Sequence, residues 1–144
     1  MDAIRIRPAT AGDTAALAGL MAHLGYPTTP TEMAARLERI LPDPDYHTLV
    51  AEAGGELVGM VGVFRGLAYN YDAPYARVLA IVVDPARRGT GVGTALMRDA
   101  EAWAREVGAG SVHLTTALQR DAAHRFYERL GYEATGLRYR KPLG

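Results

Sequence analysis

Ile4 and Ile6 alternate with Arg5 and Arg7 until Pro8 breaks the run, the two-residue period of a short half-buried strand. Thr10-Ala11-Gly12-Asp13 follows as a capping-box-like helix start. Leu17, Leu20, Met21 and Leu24 then share one helical face, and Gly25-Tyr26-Pro27 ends the helix. A second helix is predicted from Thr29 as N-cap, with Pro30 at its first position and Glu32 as the reciprocal cap. Met33, Leu37, Ile40 and Leu41 form its apolar stripe, and Pro42 and Pro44 close it.

The middle of the chain reads differently. Thr48–Ala53 and Glu56–Phe64 are valine-rich runs joined by Gly54-Gly55, a strong hairpin signal. An irregular aromatic segment, Gly66–Tyr75, precedes an apolar strand from Arg77 to Val83, which Asp84-Pro85 ends. Beyond Ala86-Arg87-Arg88-Gly89-Thr90-Gly91-Val92-Gly93-Thr94 a helix carries Val92, Leu96, Ala100, Trp103 and Val107 on one stripe, stopped by Gly108 and Gly110. A strand over Ser111–Ala117 is expected, with Val112 and Leu114 on one face. A helix from about Arg120 to Leu130, with Ala123, Phe126 and Leu130 inward and Gly131 as its stop, comes next. Short strands near Tyr132–Thr135 and Leu137–Arg140 complete the reading. Three consecutive strands in the middle exclude a doubly wound parallel fold. The pattern predicts an α+β (mixed α/β) domain with a central, largely antiparallel sheet.

The 144 residues suit a single domain, 1–144, able to bury its own core. With no cysteine, a disulfide framework, a thiolate metal site and a cysteine nucleophile are excluded. His23, His47, His113 and His124 show no close pair at metal-ligand spacing, so no metal site is expected. The longest apolar run, Val78–Val83, is far short of the roughly 18 residues a membrane span needs. The first residues contain no apolar signal-peptide core, which makes a cytoplasmic protein the expectation. Net charge is zero, which gives no bias toward nucleic acid or anionic membrane. That zero hides a split: residues 1–76 hold five arginines against nine acids, a net of −4. Residues 77–144 hold ten arginines and Lys141 against seven acids, a net of +4.

The positive half contains the arrangement with the most chemistry. Glycines at 89, 91 and 93 between a strand and a helix let backbone amides approach a ligand, and the helix adds free N–H groups and a positive dipole end. Arg87 and Arg88 add charge, so a pyrophosphate would be satisfied here. The plainer alternative is a glycine-rich turn with solvated arginines. A P-loop is excluded because Thr94-Ala95 follows Gly93 instead of Lys-Ser/Thr, and a dinucleotide fingerprint fails on glycine spacing.

Arg88-x-x-Gly91-x-Gly93 resembles the acetyl-CoA-binding motif of the GNAT superfamily of N-acetyltransferases. Val82-Val83-Asp84-Pro85 resembles the strand end that precedes that motif in the family. Ala123-His124-Arg125-Phe126-Tyr127-Glu128-Arg129-Leu130-Gly131-Tyr132 is similar to the family's second cofactor segment. The element order matches across nearly the whole chain. The resemblance implies a GNAT-like fold, its sheet twisted and splayed between the strand of Val83 and the strand starting at Ser111, with about four helices around it. It implies that acetyl-CoA is the co-substrate. Ile81, Val82 and Val83 would pair through their backbone with the pantetheine arm. Arg88, Gly89, Thr90, Gly91, Val92, Gly93 and Thr94 would form the pyrophosphate cradle, the last six through their amides. Tyr127 would act as the proton donor to the leaving thiolate. The alternative for Tyr127 is a core aromatic.

Two positions depart from the family pattern. The strand Arg77–Val83 has no carboxylate where many members carry a glutamate base, and Arg120 stands where many have asparagine. Arg120 either touches a phosphate or ribose or faces solvent. Asp72, Tyr71, Glu52 and His113 remain as base candidates, each with a bland reading as loop surface, polar strand position or outward residue. The acceptor would lie between Gly25–Thr31 and Gly66–Tyr75, where Tyr26, Tyr69, Tyr71 and Tyr75 form either an aromatic wall or padding for a homodimer interface. The function expected is direct transfer of an acetyl group to a primary amine in a ternary complex, since no thiol is present to hold it. The rival is an acyl-CoA-binding sensor or regulatory module with little catalysis.

Overall fold

The computed structural model describes residues 3–116 and 121–144. Residues up to His113 form one compact unit, and those from Leu114 onward form a second, smaller one. In the first, β1 (Arg5–Pro8), β2 (Tyr46–Ala53), β3 (Glu56–Gly66), β4 (Tyr75–Val83) and β5 (Val112–His113) make one sheet in that order. All pairs are antiparallel except β4–β5. Helices α1 (Thr14–Leu24), α2 (Pro30–Ile40) and α3 (Val92–Glu106) belong to this unit, and α4 (Asp121–Arg129) to the second. The chain adopts the expected α+β class, with a mostly antiparallel sheet and, among the described residues, four α-helices.

Local chemistry accounts for the elements. Gly54 and Gly55 join β2 to β3 with φ of 61° and 80°, the doubly left-handed turn that matches the twist of a tight hairpin. At the start of α2 the Thr29 hydroxyl accepts the Glu32 N–H at 3.1 Å, and the Glu32 carboxylate accepts the Thr29 N–H at 2.9 Å. Ahead of α1, Asp13 accepts the Thr10 N–H at 2.8 Å. The same carboxylate takes two hydrogen bonds of 2.8 Å from the Arg7 guanidinium, which also reaches Glu52 across the sheet. These contacts push the Asp13 carboxyl below its ordinary range, with the Arg7 hydrogen bonds as the main cause.

The sheet buries both faces. Leu17, Ala18 and Leu20 of α1 and Met33 and Leu37 of α2 pack with Val50, Met60 and Val82. Each of the leucine, methionine and valine side chains among them contributes about 1.5–3 kcal/mol on burial. On the other face α3 lies so close that a β-carbon at Gly59 would stand 3.0 Å from Val92 and 3.1 Å from Leu96. Val92, Leu96 and Ala100 are buried as the stripe predicts, together with Met97 and Ala104. Trp103 is only half-buried and stacks on His47 at 5.2 Å.

Two sequence expectations need correction. The strand expected over Ser111–Ala117 is confined to Val112–His113, since β4 pairs with it only through Ala76 and Arg77. Ala117, like Arg120, lies outside the described residues. The strands expected near Tyr132–Thr135 and Leu137–Arg140 are not formed among the described residues. Leu137 and Tyr139 are both largely exposed, so the alternation there has no buried face to reward it. Among the described residues no helix is long and apolar enough to cross a membrane.

Candidate active site

Between β4 and α3 the backbone is arranged to leave amides exposed. Asp84 accepts the Ala86 N–H at 3.0 Å and so caps a short 3-10 turn over Pro85–Arg87. The Thr90 hydroxyl donates to the Arg87 carbonyl and folds the loop back on itself. Gly89 and Gly91 have φ of 77° and 90°, a region costly for any residue with a β-carbon. Gly91 immediately precedes α3 and offers no side-chain cap. The first intrahelical bond in this turn runs from the Ala95 N–H to the Gly91 carbonyl, so the amides of Val92, Gly93 and Thr94 lie ahead of it. Arg88, Gly89, Thr90 and Gly91 are exposed, whereas the Val92 side chain is buried and anchors the turn. Val92 therefore presents only its backbone outward. The loop can hold an anion by amides, dipole and guanidinium charge together.

Upstream, β4 is irregular in a way the sequence gives no sign of. Gly62 pairs with Ala80 and Val63 with Val78, so Leu79 is an extra residue bulged out of the ladder. Leu79 is 53% exposed in the middle of an otherwise apolar strand. On its other edge β4 is paired only at Ala76 and Arg77. Along Val78–Val83 that edge carries no strand among the described residues, which leaves backbone groups of the segment holding Ile81, Val82 and Val83 available to an extended ligand. Val82 itself points into the α1–α2 core, and Ile81 and Val83 are half-buried.

The remaining candidates separate. Glu52 is held by Arg7 at 2.6 Å, within the β1–β2 network. Asp72 is exposed. Tyr71 stands 6.3 Å from the His113 ring and Tyr75 5.7 Å from it, edge-on. The Ser111 hydroxyl lies 2.9 Å from His113 Nε2. His113 is thus gathered with Tyr71, Tyr75 and Ser111, while Tyr26 and Tyr69 are exposed. In the second unit, Tyr127 sits near the end of α4, half-buried like Phe126, with ring contacts to Phe126 at 5.1 Å and Tyr132 at 6.1 Å. The Tyr132 N–H bonds back to the Tyr127 carbonyl at 3.0 Å and fixes the helix end. A cavity of about 600 Å³ beside Ala11, Thr14, Leu37, Glu38 and Pro42 is mostly apolar and has none of the candidate site residues in its lining. Among the described residues no three His, Cys, Asp or Glu side chains gather as metal ligands.

The sequence profile of the Acetyltransferase (GNAT) family matches residues 15–132. The chain is 32% identical to an aminoalkylphosphonate N-acetyltransferase of Salmonella typhimurium over 99% of its own length and 94% of that protein. It is 36% identical to the N-alpha-acetyltransferase RimI of Mycobacterium tuberculosis over 95% of its length and 83% of that protein. A solved structure named as a transcriptional regulator from Bacillus halodurans superposes with a TM-score of 0.91 at 29% identity, covering 98% of this chain and 100% of that one. The chain belongs to the acetyltransferase (GNAT) family and is an acyltransferase of that type.

Proposed function

We propose that the protein transfers an acetyl group from acetyl-CoA directly to a primary amine of a small molecule or peptide, in a ternary complex and within a single domain of residues 1–144. The observation that carries this reading is the uncapped start of α3, where left-handed Gly89 and Gly91 leave amides facing outward beside Arg87 and Arg88. In this reading Arg88 and the backbone of Gly89, Thr90, Gly91, Val92, Gly93 and Thr94 hold the pyrophosphate, and the open edge of β4 at Ile81, Val82 and Val83 aligns the pantetheine arm.

Acetyl-CoA supplies an acyl carbon already activated as a thioester. The acceptor amine, with an ordinary pKa of roughly 10.4, must first lose a proton. Glu52 is engaged by Arg7, so His113 fits best as the group that receives it. The amine nitrogen then bonds to the acyl carbon. A β4 amide near Ile81 or Val82 steadies the negative oxygen. The carbon–sulfur bond breaks, the sulfur takes a proton from the Tyr127 hydroxyl, and the second proton, which the nitrogen sheds on becoming an amide, passes through solvent to restore that hydroxyl. The two relatives, named for acetylation of an aminoalkylphosphonate and of an N-alpha position, support nitrogen as the acceptor. We place the protein in the cytoplasm, with no nucleic-acid or membrane partner, and propose a homodimer as an assembly open to it.

A thiol-release assay with acetyl-CoA and a panel of amines tests the reading. Tyr127→Phe should lower kcat about 100-fold or more, the scale of general acid catalysis, with CoA affinity within twofold. Unchanged turnover would remove Tyr127 from the mechanism. The second reading, a CoA-binding regulatory module, is favoured by the lack of a carboxylate in Arg77–Val83 and by the regulator name of the Bacillus halodurans structure. CoA binding by calorimetry without thiol release for any amine would select it.

A further inference from the structure

Four strands place one residue each in a row on the sheet face that α1 and α2 cover farther along. Tyr46 of β2 pairs with Phe64 of β3, Phe64 with Arg77 of β4, and Arg77 with His113 of β5. Directly paired residues project to the same face, so the row is continuous. The Tyr46 and Phe64 rings stand 5.0 Å apart. Tyr75 leans across Gly66, where a β-carbon would come within 2.9 Å of its ring and 2.8 Å of Phe64, and meets His113 edge-on. The result is a half-buried aromatic floor with one permanent charge in it, Arg77.

That charge is unlike the others nearby. Arg7 is satisfied by Asp13 and Glu52, and Arg65 by Asp45 and the Val107 carbonyl. Among the described residues no ion pair or side-chain hydrogen bond engages Arg77, and its partners in the row bear no carboxylate. A guanidinium on an interior strand, walled by rings, presents a planar fork of donors suited to a carboxylate or a phosphoryl oxygen. It also stands two residues before the Leu79 bulge, on the strand that carries the proposed thioester-binding segment.

We propose that Arg77 selects the acceptor: the substrate is a small zwitterionic amine whose oxyanion (carboxylate, phosphonate, phosphate or sulfonate) is held by Arg77 over the Phe64–Tyr75 floor. This rests on the acetyl-transfer reading above and adds the substrate class to it. Arg77 is here a specificity residue that touches the acceptor away from the reacting atoms. The reaction it serves is the acetyl transfer from thioester to amine.

The test is a matched series of amines in the thiol-release assay: 3-aminopropanoate, 2-aminoethylphosphonate and 2-aminoethanesulfonate against propylamine, which has no anionic group. The anionic amines should exceed propylamine in kcat/KM by about 10- to 100-fold, the worth of one charge-assisted pair. In Arg77→Met that ratio should collapse to about one through KM, and Arg77→Lys should restore part of it. The three anions separate planar from tetrahedral groups. Equal use of propylamine by the unaltered protein, or a loss in Arg77→Met shared equally by all four amines, would overturn the proposal. If Arg77→Met fails to fold, ethylphosphonate should still inhibit the unaltered enzyme competitively against amine and not against acetyl-CoA; competition against acetyl-CoA alone places the anion in the α3 cradle and overturns it. If no amine is acetylated, the transfer reading fails separately. Calorimetry of ethylphosphonate into the CoA-saturated protein then decides, with binding lost in Arg77→Met and partly kept in Arg77→Lys supporting an anion site and absence of binding refuting it.

Discussion

Helices α2 and α3 begin in opposite ways. At α2 the free amides are met by the chain's own side chains: Thr29 and Glu32 cap each other and Pro30 removes one donor. At α3 the residue before the helix is Gly91, which has nothing to cap with, and the arginines beside it carry the charge opposite to a capping carboxylate. A closed start stabilises the fold. An open one forgoes that stability and keeps the amides available to something outside the chain. The difference sets a terminus that the chain closes with its own side chains beside one that it leaves open, the one the proposed function assigns to the cofactor.

The sharpest way to break the contrast is to spoil the open end. Gly91→Val places a β-branched residue at a φ of 90°, where side chains with a β-carbon are strained, and forces the loop to re-aim its amides. We expect CoA affinity by calorimetry to fall about 100-fold, on the order of one or two lost charge-assisted hydrogen bonds. Melting shows whether the fold survives. A variant that melts normally and binds CoA as before would remove the loop from the cofactor site. Arg88→Glu is milder, because the residue is exposed and its contribution is screened. About tenfold weaker binding is expected, with the gap between variant and parent narrowing as salt rises. A salt-independent difference would point to a steric cause.

The closed end was far more legible in the sequence than the rest of the site. Thr29-Pro30-Thr31-Glu32 and Gly54-Gly55 are local signals, each settled by a few neighbouring residues, and both form as expected. So is the loop at Gly89 and Gly91, whose left-handed backbone follows from its glycines. The Leu79 bulge and the Tyr46–Phe64–Arg77–His113 row had no such signal, since each depends on how a strand registers against its neighbours. Within the unbroken apolar run Val78–Val83 no alternation marks which residue slips. The C-terminal segment shows the converse: alternation over Leu137–Arg140 predicts a strand, and with Leu137 and Tyr139 exposed there is no buried face to form it on.

Opening the closed end tests its other side. Thr29→Ala removes the acceptor for the Glu32 N–H and should cost about 1 kcal/mol, a melting drop of about 3–4 °C for a chain of this size. CoA affinity should stay within twofold. Calorimetric binding and melting on the same sample check both halves, and a coupled loss of affinity would mean the two termini are not independent.

The smallest effect expected is in acid, and it should fall on the closed ends. Hydrogen bonds from Thr29 hold the Glu32 carboxyl below its ordinary 4.5, and those from Arg7 hold Asp13 below 3.8. Their folded forms stay ionised while the unfolded chain takes up protons. Their contribution is complete above about pH 4.5 and is lost as pH falls through the lowered folded values. His47 acts in the same direction from a higher starting point: burial against Trp103 holds it below 6.5, so the unfolded chain binds its proton first and stability begins to decline near that pH. Melting temperature should therefore slip slightly below pH 6.5 and more steeply below 4.5. His47→Gln should flatten the first slope, and Glu32→Gln or Asp13→Asn the second. A melting temperature that held steady or rose between pH 6.5 and 3 would contradict all three assignments. The start of α3 is capped by no carboxylate, so acid removes nothing there of the kind it removes at α2.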